Sequence, residues 1–206
     1  MPLWEQTAVL HRGGGGQIGY GHAQLGLGPV QVGTQPFLDL QRTWNAQLKL
    51  ALLESGPHRT ALVAGAYLLP AAAEDRAVGE LHRSGFGNPY TALRLFPVAV
   101  AHSWQLTERL QVHSALTTLF RHADDPRERG TSLGAATMIE ARTGERWSAR
   151  LHAGTWGLGV ESQAHLGLSF AYQSEHVMLA AGYARQASFS GESRGQLLVD
   201  GALLFP

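Results

Sequence analysis

A residue period of two predicts an all-β fold for this chain of 206 residues, an antiparallel up-and-down transmembrane β-barrel of about twelve strands, with ten as the alternative. Three observations predict it. Apolar and polar residues alternate over segments of about ten residues. Tight and long connections are spaced so that the long ones share one end of a meander. Charged residues make up only 16%, against roughly 25% in an ordinary soluble domain. The length fits one domain, 1–206, on the usual range of about 100–200 residues.

The alternation is clearest in the C-terminal half. From Gln163 to Tyr172 the even positions read Ala164, Leu166, Leu168, Phe170 and Tyr172, and the odd ones Gln163, His165, Gly167, Ser169 and Ala171. Trp147, Ala149, Leu151 and Ala153 oppose Arg146, Ser148, Arg150, His152 and Gly154 in the same way. Trp44, Ala46, Leu48, Leu50 and Leu52 oppose Asn45, Gln47, Lys49 and Ala51, while Leu110, Val112, Leu116 and Phe120 oppose Arg109, Gln111, His113 and Thr117. Leu133, Ala135 and Ile139 oppose Ser132, Gly134 and Glu140, and Leu197, Val199, Leu203 and Phe205 oppose Gln196, Asp200 and Ala202. Successive side chains of a strand point to opposite faces, so each run is a strand with one apolar face.

The strands so defined span roughly 4–12, 16–27, 30–39, 43–53, 59–69, 90–102, 107–121, 131–142, 145–156, 163–173, 176–186 and 195–205. Gly28-Pro29, Glu54 to His58, Ser103 to Leu106, Thr143-Gly144 and Gln173 to Glu175 are tight connections. Pro70 to Pro89, His122 to Gly130 and Ala187 to Arg194 are longer, and in a meander all three fall at one end, which supports an even strand number. Glu74, Asp75, Arg76, Glu80 and Arg83 in the first of these, and Asp124, Asp125, Arg127, Glu128 and Arg129 in the second, mark both as wet loops.

Alternation with one polar face also fits a soluble sandwich or a lipocalin-like barrel. The composition of the polar face decides. A soluble barrel would have a large apolar interior and a Lys- and Glu-rich exterior, whereas here the polar face is mostly Gly, Ala, Ser, Gln, Asn and His with isolated charges. That suits a membrane barrel whose outside meets lipid and whose crowded inside needs small or hydrogen-bonding side chains. Trp44, Trp147, Trp156, Tyr90, Tyr172, Tyr183 and Phe205 stand near predicted strand ends, where amphipathic rings sit at a membrane boundary.

Other classes are excluded on composition. Sixteen basic and 16 acidic residues leave no net charge, hence no basic face for nucleic acid. The absence of cysteine removes disulfides, thiolate metal sites and Cys nucleophiles together. No run approaches the roughly 20 apolar residues of a membrane helix, and the start Met1-Pro2-Leu3-Trp4-Glu5 lacks the form of a signal peptide, so the chain is either cytosolic or a mature form numbered without its signal, and the strand pattern favours the second.

On these repeated dyads and the asymmetry of its connections, the chain resembles a bacterial outer-membrane β-barrel protein, small and porin-like. Its end, Gln196-Leu197-Leu198-Val199-Asp200-Gly201-Ala202-Leu203-Leu204-Phe205-Pro206, is similar to the terminal strand signal that barrel-assembly machinery reads, departing from it in Pro206. The stretch from Val32-Gly33-Thr34 to Asn45-Ala46-Gln47-Leu48-Lys49 resembles small envelope barrels of gliding or predatory delta-group bacteria that serve trans-envelope machines, including motility. The resemblance implies outer-membrane location, with outer-membrane lipid, barrel-assembly machinery and other envelope proteins as partners. It implies a non-enzymatic role as membrane anchor of an envelope complex or as narrow pore. A soluble lipocalin-like binder and a lipid-modifying barrel enzyme are the alternatives.

The motifs for chemistry are weak. Gly13 to Gly16 is not followed by Gly-Lys-Ser/Thr, and Gly19-x-Gly21 lacks a third Gly at Gln24. Of ten His, no two stand at i, i+2 on a strand or i, i+4 on a helix, and His102-Ser103 and His113-Ser114, being adjacent, point to opposite faces. No catalytic, cofactor or metal residue is therefore expected. Strand parity instead predicts a lumen lined by Asn45, Gln47, Lys49, Arg109, Gln111, His113, Glu140, Arg146, Arg150, His152, His165 and Asp200, with Asp39 also on that face. It predicts a lipid-facing surface with its aromatic belt at Trp44, Trp147, Trp156, Leu166, Leu168, Phe170, Tyr172, Tyr183 and Phe205.

Overall fold

The computed structural model describes residues 7–11, 14–19, 21–40, 42–71, 92–156, 163–188 and 193–206. Twelve antiparallel strands close into one barrel, each paired with its neighbours in sequence and the first with the last. They are β1 (Gly16–Gly19), β2 (Ala23–Leu27), β3 (Val30–Thr34), β4 (Trp44–Ser55), β5 (His58–Leu69), β6 (Leu93–Gln105), β7 (Leu110–Ala123), β8 (Gly130–Arg142), β9 (Trp147–Trp156), β10 (Gln163–Gln173), β11 (Val177–Ser188) and β12 (Ser193–Phe205). Closure removes every sheet edge except where neighbouring strands differ in length.

The strand number agrees with the sequence reading, but its N-terminal part is distributed differently. Residues 7–11, expected as the end of a first strand, form none; the run 16–27 is broken by a turn into β1 and β2, and 30–39 is β3 followed by a short helix, α1 (Pro36–Leu40). Residues 20–22 carry no Asn-Gly or Pro to announce that turn. The other turns follow their sequences. Both two-residue hairpins are Gly-Pro, with Gly28 at φ 67° and Gly56 at φ 54°, the positive φ that a first turn position of this kind requires and that only Gly supplies freely.

Connections 28–29, 56–57, 106–109, 143–146 and 174–176 lie at one end of the barrel, and both ends of the wall, Gly16 and Phe205, face each other there. Connections 35–43, 70–92, 124–129, 157–162 and 189–192 lie at the other end. Most of the longest one, 72–91, with Tyr90 and the charges Glu74 to Arg83, lies outside the described residues. The barrel exterior is apolar over its whole girth: Ile18, Trp44, Val100, Leu116, Trp147, Leu166, Phe170, Leu179 and Leu203 are all exposed.

The interior is divided. On the β5–β7 wall it carries two apolar patches, and two pieces of the chain itself pack there. Near the short-turn end Ala8 and Leu10 bury against Ala61, Val63, Ala99, Ala101 and Ala115. At the opposite end α1 sends Leu38 onto Tyr67, Leu69, Leu93, Leu95, Leu119 and Ala123. Between them Pro97, fully buried, interrupts the β5–β6 ladder opposite Gly65, because proline has no N–H to pair.

Candidate functional site

The candidate site is the barrel interior together with a low stretch of its wall. Residues 7–11 cross the interior as a strap, held by backbone groups rather than by a strand ladder. The Ala8 N–H donates to Ser103 Oγ at 2.9 Å, the His11 N–H donates to Gln31 Oε1 at 2.9 Å, and Lys49 Nζ donates to the Val9 carbonyl at 2.7 Å. Lys49 is 2% exposed, and a buried ammonium requires such partners.

Ser103 and His113 are direct cross-strand partners on β6 and β7, so their side chains share the inner face and meet at 2.7 Å. The hydroxyl also receives the Ala8 N–H, which covers it with the strap. A second pair, His152 Nε2 and Ser169 Oγ at 2.9 Å, joins β9 to β10. Both arise from register between strands, which adjacency in sequence could not reveal. On the same wall Arg150 grips Glu140 through Nε (3.1 Å) and Nη2 (3.4 Å), a two-point ion pair between directly opposed residues. Gln186 donates to Gln163. The ring of His165 lies over Gly154 and leaves no room for a Cβ there, and among the described residues its buried Nε2 has no partner.

Asn45 is buried and fixes the start of β4: its Oδ1 accepts from the Gln35 N–H and from Thr34, and its Nδ2 donates to the Gln35 carbonyl and to Asp39 Oδ1. Gln47 donates to the Tyr67 hydroxyl, and Gln111 is half-buried opposite Glu140. Asp200 accepts from the Gly21 and Gly201 N–H groups and stands 3.6 Å from His22 Nδ1. Arg109 and Arg146 do not join this set. Each sits in a short turn, exposed, and Arg146 donates to the Tyr172 hydroxyl, whose ring packs 5.1 Å from Trp147. Parity placed them inside only because the two strands were taken to begin three and two residues too early. Arg121, in contrast, has inward parity on β7, with a buried Nε that has no partner among the described residues, and was missed because the seventh strand was taken to end there.

Trp44, Trp147, Leu166, Leu168, Phe170 and Tyr183 are exposed on the outer face, and Tyr172 and Phe205 are half-exposed; the side chain of Trp156 lies outside those described. Tyr183 stands in the middle of β11 rather than near its end, its hydroxyl lying where a Cβ of Gly195 would be. His58, His102 and Trp104 stack outside at the short-turn end, with ring centroids 5.5 Å apart.

The wall is low over β1, β2 and β3, which have four or five residues against ten to fourteen in the rest. Only four register pairs, Gly16↔Phe205 to Gly19↔Ala202, join β1 to β12. Above them, among the described residues, Ser193–Gly201 pairs with β11 alone. The chain leaving β3 turns inward as α1 instead of continuing the wall. Its exit is a left-handed C-cap: Arg42, at φ 58°, donates its N–H to the Asp39 carbonyl, and the Thr43 N–H reaches the Leu38 carbonyl, both at 2.9 Å. Outside this stretch runs an open groove of about 960 Å³, floored by Ile18, Leu25, Val32, Ala46 and Phe205 and walled by Trp44. Asp39, Arg42 and Asn45 form its upper lip.

Among the described residues no group of three or more His, Asp or Glu is placed to hold a metal. No family model matches the chain and no curated protein matches it, so the likeness of residues 32–49 to delta-group envelope barrels gains nothing from them. Among solved structures it is similar to the outer membrane channel DcaP of Acinetobacter baumannii, with 12% identity over 89% of this chain and a TM-score of 0.40. The chain spans 60% of that channel's length.

Proposed function

We propose that this chain is a non-enzymatic barrel of a bacterial outer membrane, closed at rest by its own strap and helix, and serving as a membrane anchor for envelope partners. The observation that carries the reading is the inversion of sidedness: large apolar side chains cover the outside, while charged and amide side chains, among them Lys49, Glu140, Arg150 and Asp200, point in. Water would penalise such an exterior and lipid would not. The placement of both wall ends at one end together with every tight turn but that between β1 and β2 is the arrangement of outer-membrane barrels, whose short turns face the periplasm. The covered hydroxyl of Ser103 disfavours a hydrolase. The test is extraction and gel migration. The expected result is release only by detergent and a heat-dependent mobility shift; a chain that stays in aqueous solution and runs identically with and without heating overturns the reading.

A narrow pore is the second reading, favoured by the polar β8–β12 wall with its Glu140–Arg150 and His152–Ser169 pairs. Planar-bilayer recording separates the two, since a passage along that wall conducts and a stoppered anchor does not.

A further inference from the structure

A row of polar side chains crosses the apolar exterior on β5 to β8. Thr60 stands opposite His102, His102 opposite Ser114 and Ser114 opposite Thr137, so the four lie side by side on the outer face at one height. Leu62, Val100, Leu116 and Ala135 form the next outward row toward the long loops, and Trp104, Val112 and Ile139 the next toward the short turns. His58, the first residue of β5 and the outward position below Thr60, brings a second imidazole to this row.

The two histidines meet at a distance that suits a shared ligand better than a hydrogen bond. His58 Nδ1 and His102 Nε2 are 3.4 Å apart, beyond the roughly 2.7–3.2 Å of ordinary N–H donors. Two nitrogens bound to one tetrahedral zinc ion, each about 2.0–2.1 Å from it, stand about 3.3–3.4 Å apart. A square-planar ion with the same bond lengths would require about 2.8–3.0 Å. Both rings are also held in place. His58 stacks on His102 and on Trp104, with centroids 5.5 Å away in each case and interplanar angles of 29° and 21°. His102 Nδ1 lies 3.0 Å from Thr60 Oγ1.

We propose that His58 Nδ1 and His102 Nε2 hold a divalent zinc ion on the outer face of the barrel, with Thr60 as the residue that positions His102. When Nε2 binds the cation, Nδ1 carries the proton and donates to the Thr60 hydroxyl, the kind of outer contact that fixes the tautomer and aim of a ligating histidine. Two protein ligands leave two of the four tetrahedral positions to water. The ion is therefore held reversibly, unlike structural zinc, which is enclosed by four protein ligands. The histidines are 44 residues apart, so the β5–β6 register creates the pair. The site stands independently of the outer-membrane reading, which places it toward the periplasmic end.

The experiment titrates the full chain, folded in detergent, with zinc by calorimetry and with cobalt by visible absorption, which separates tetrahedral from octahedral coordination. Circular dichroism confirms equal β-content in every variant. The expected result is one zinc ion per chain and a tetrahedral cobalt spectrum, both lost in His58→Ala and in His102→Ala. Thr60→Val keeps both ligands and weakens zinc binding about tenfold. His122→Ala, at the far end of β7, leaves it unchanged. Zinc binding that survives both alanine substitutions, or a cobalt spectrum that is octahedral only, overturns the site. Undiminished affinity in Thr60→Val overturns the role given to Thr60.

Discussion

Lys49→Met tests whether the strap is a removable stopper. Lys49 is buried inside β4 and donates to the Val9 carbonyl at 2.7 Å, a contact to the strap from a charged side chain. A hydrogen bond from a charged group is worth about 1.5–3 kcal/mol, and methionine keeps the length and apolar stem of lysine while removing the donor. At 1.4 kcal/mol per decade, the population of the undocked strap rises about ten- to hundredfold. Amide hydrogen exchange reads this directly, because the Ala8 and His11 N–H groups are bonded only while the strap is docked. Both amides exchange faster by that factor in Lys49→Met, with the amides of β9 and β10 unchanged. Ser103→Ala, which removes a neutral partner worth about 0.5–1.5 kcal/mol, gives a smaller increase at the same two positions. Native exchange at Ala8 and His11 in Lys49→Met would refute the claim that these bonds hold the strap.

Three further outcomes are expected. Leu166→Arg and Leu168→Arg, on the outer face of β10, each lower the yield of folded barrel in membranes by a cost of about 2–4 kcal/mol near the midplane, whereas Gln163→Arg on the inner face is tolerated; equal yields at both parities contradict the face assignment. Arg150→Ala leaves Glu140 unpaired and lowers stability to urea by about 1.5–3 kcal/mol, and adding Glu140→Gln restores much of it; additive losses in the double variant show that the pair is not coupled. Deleting Phe205 and Pro206 removes one of four pairs that close the barrel and sharply reduces the heat-modifiable form; an unchanged yield rules out the terminal strand as the closing element.

The faces of β4 and of β7 to β12 were legible because each strand there runs long enough for a period of two to declare itself, as in Leu166, Leu168 and Phe170 against Gly167 and Ser169. The strap deceived for a physical reason. Ala8 and Leu10 alternate with Thr7 and Val9 because one side of an extended chain lies on an apolar surface, and a strand would look the same. That surface was itself hidden, since Ala61, Val63, Ala99, Ala101 and Ala115 read as small filler until another segment is seen to cover them. Contacts set by register, such as Ser103 with His113 or Glu140 with Arg150, join residues ten apart through hairpin geometry that composition does not contain. The left-handed Arg42 has no signal in sequence at all, because the usual signal for that conformation is the glycine it replaces.

The pairing of Gly16–Gly19 with Ala202–Phe205 also sets an order in time. These partners are far apart in the sequence, so the contact with the greatest separation in the chain is also among the shortest, with four register pairs against ten or more in most of the wall. Hairpins such as β10–β11 form from neighbouring residues and cost little loop entropy, whereas this contact must gather almost the whole polypeptide first. Formation of the ring therefore waits until β12 has been made, and until then the strands form an open sheet or a looser chain. α1, emerging from the same short-stranded region, has until that moment to turn inward. Closing the ring is thus the step of this fold that costs the most loop entropy, and it falls to one of its shortest strand pairings.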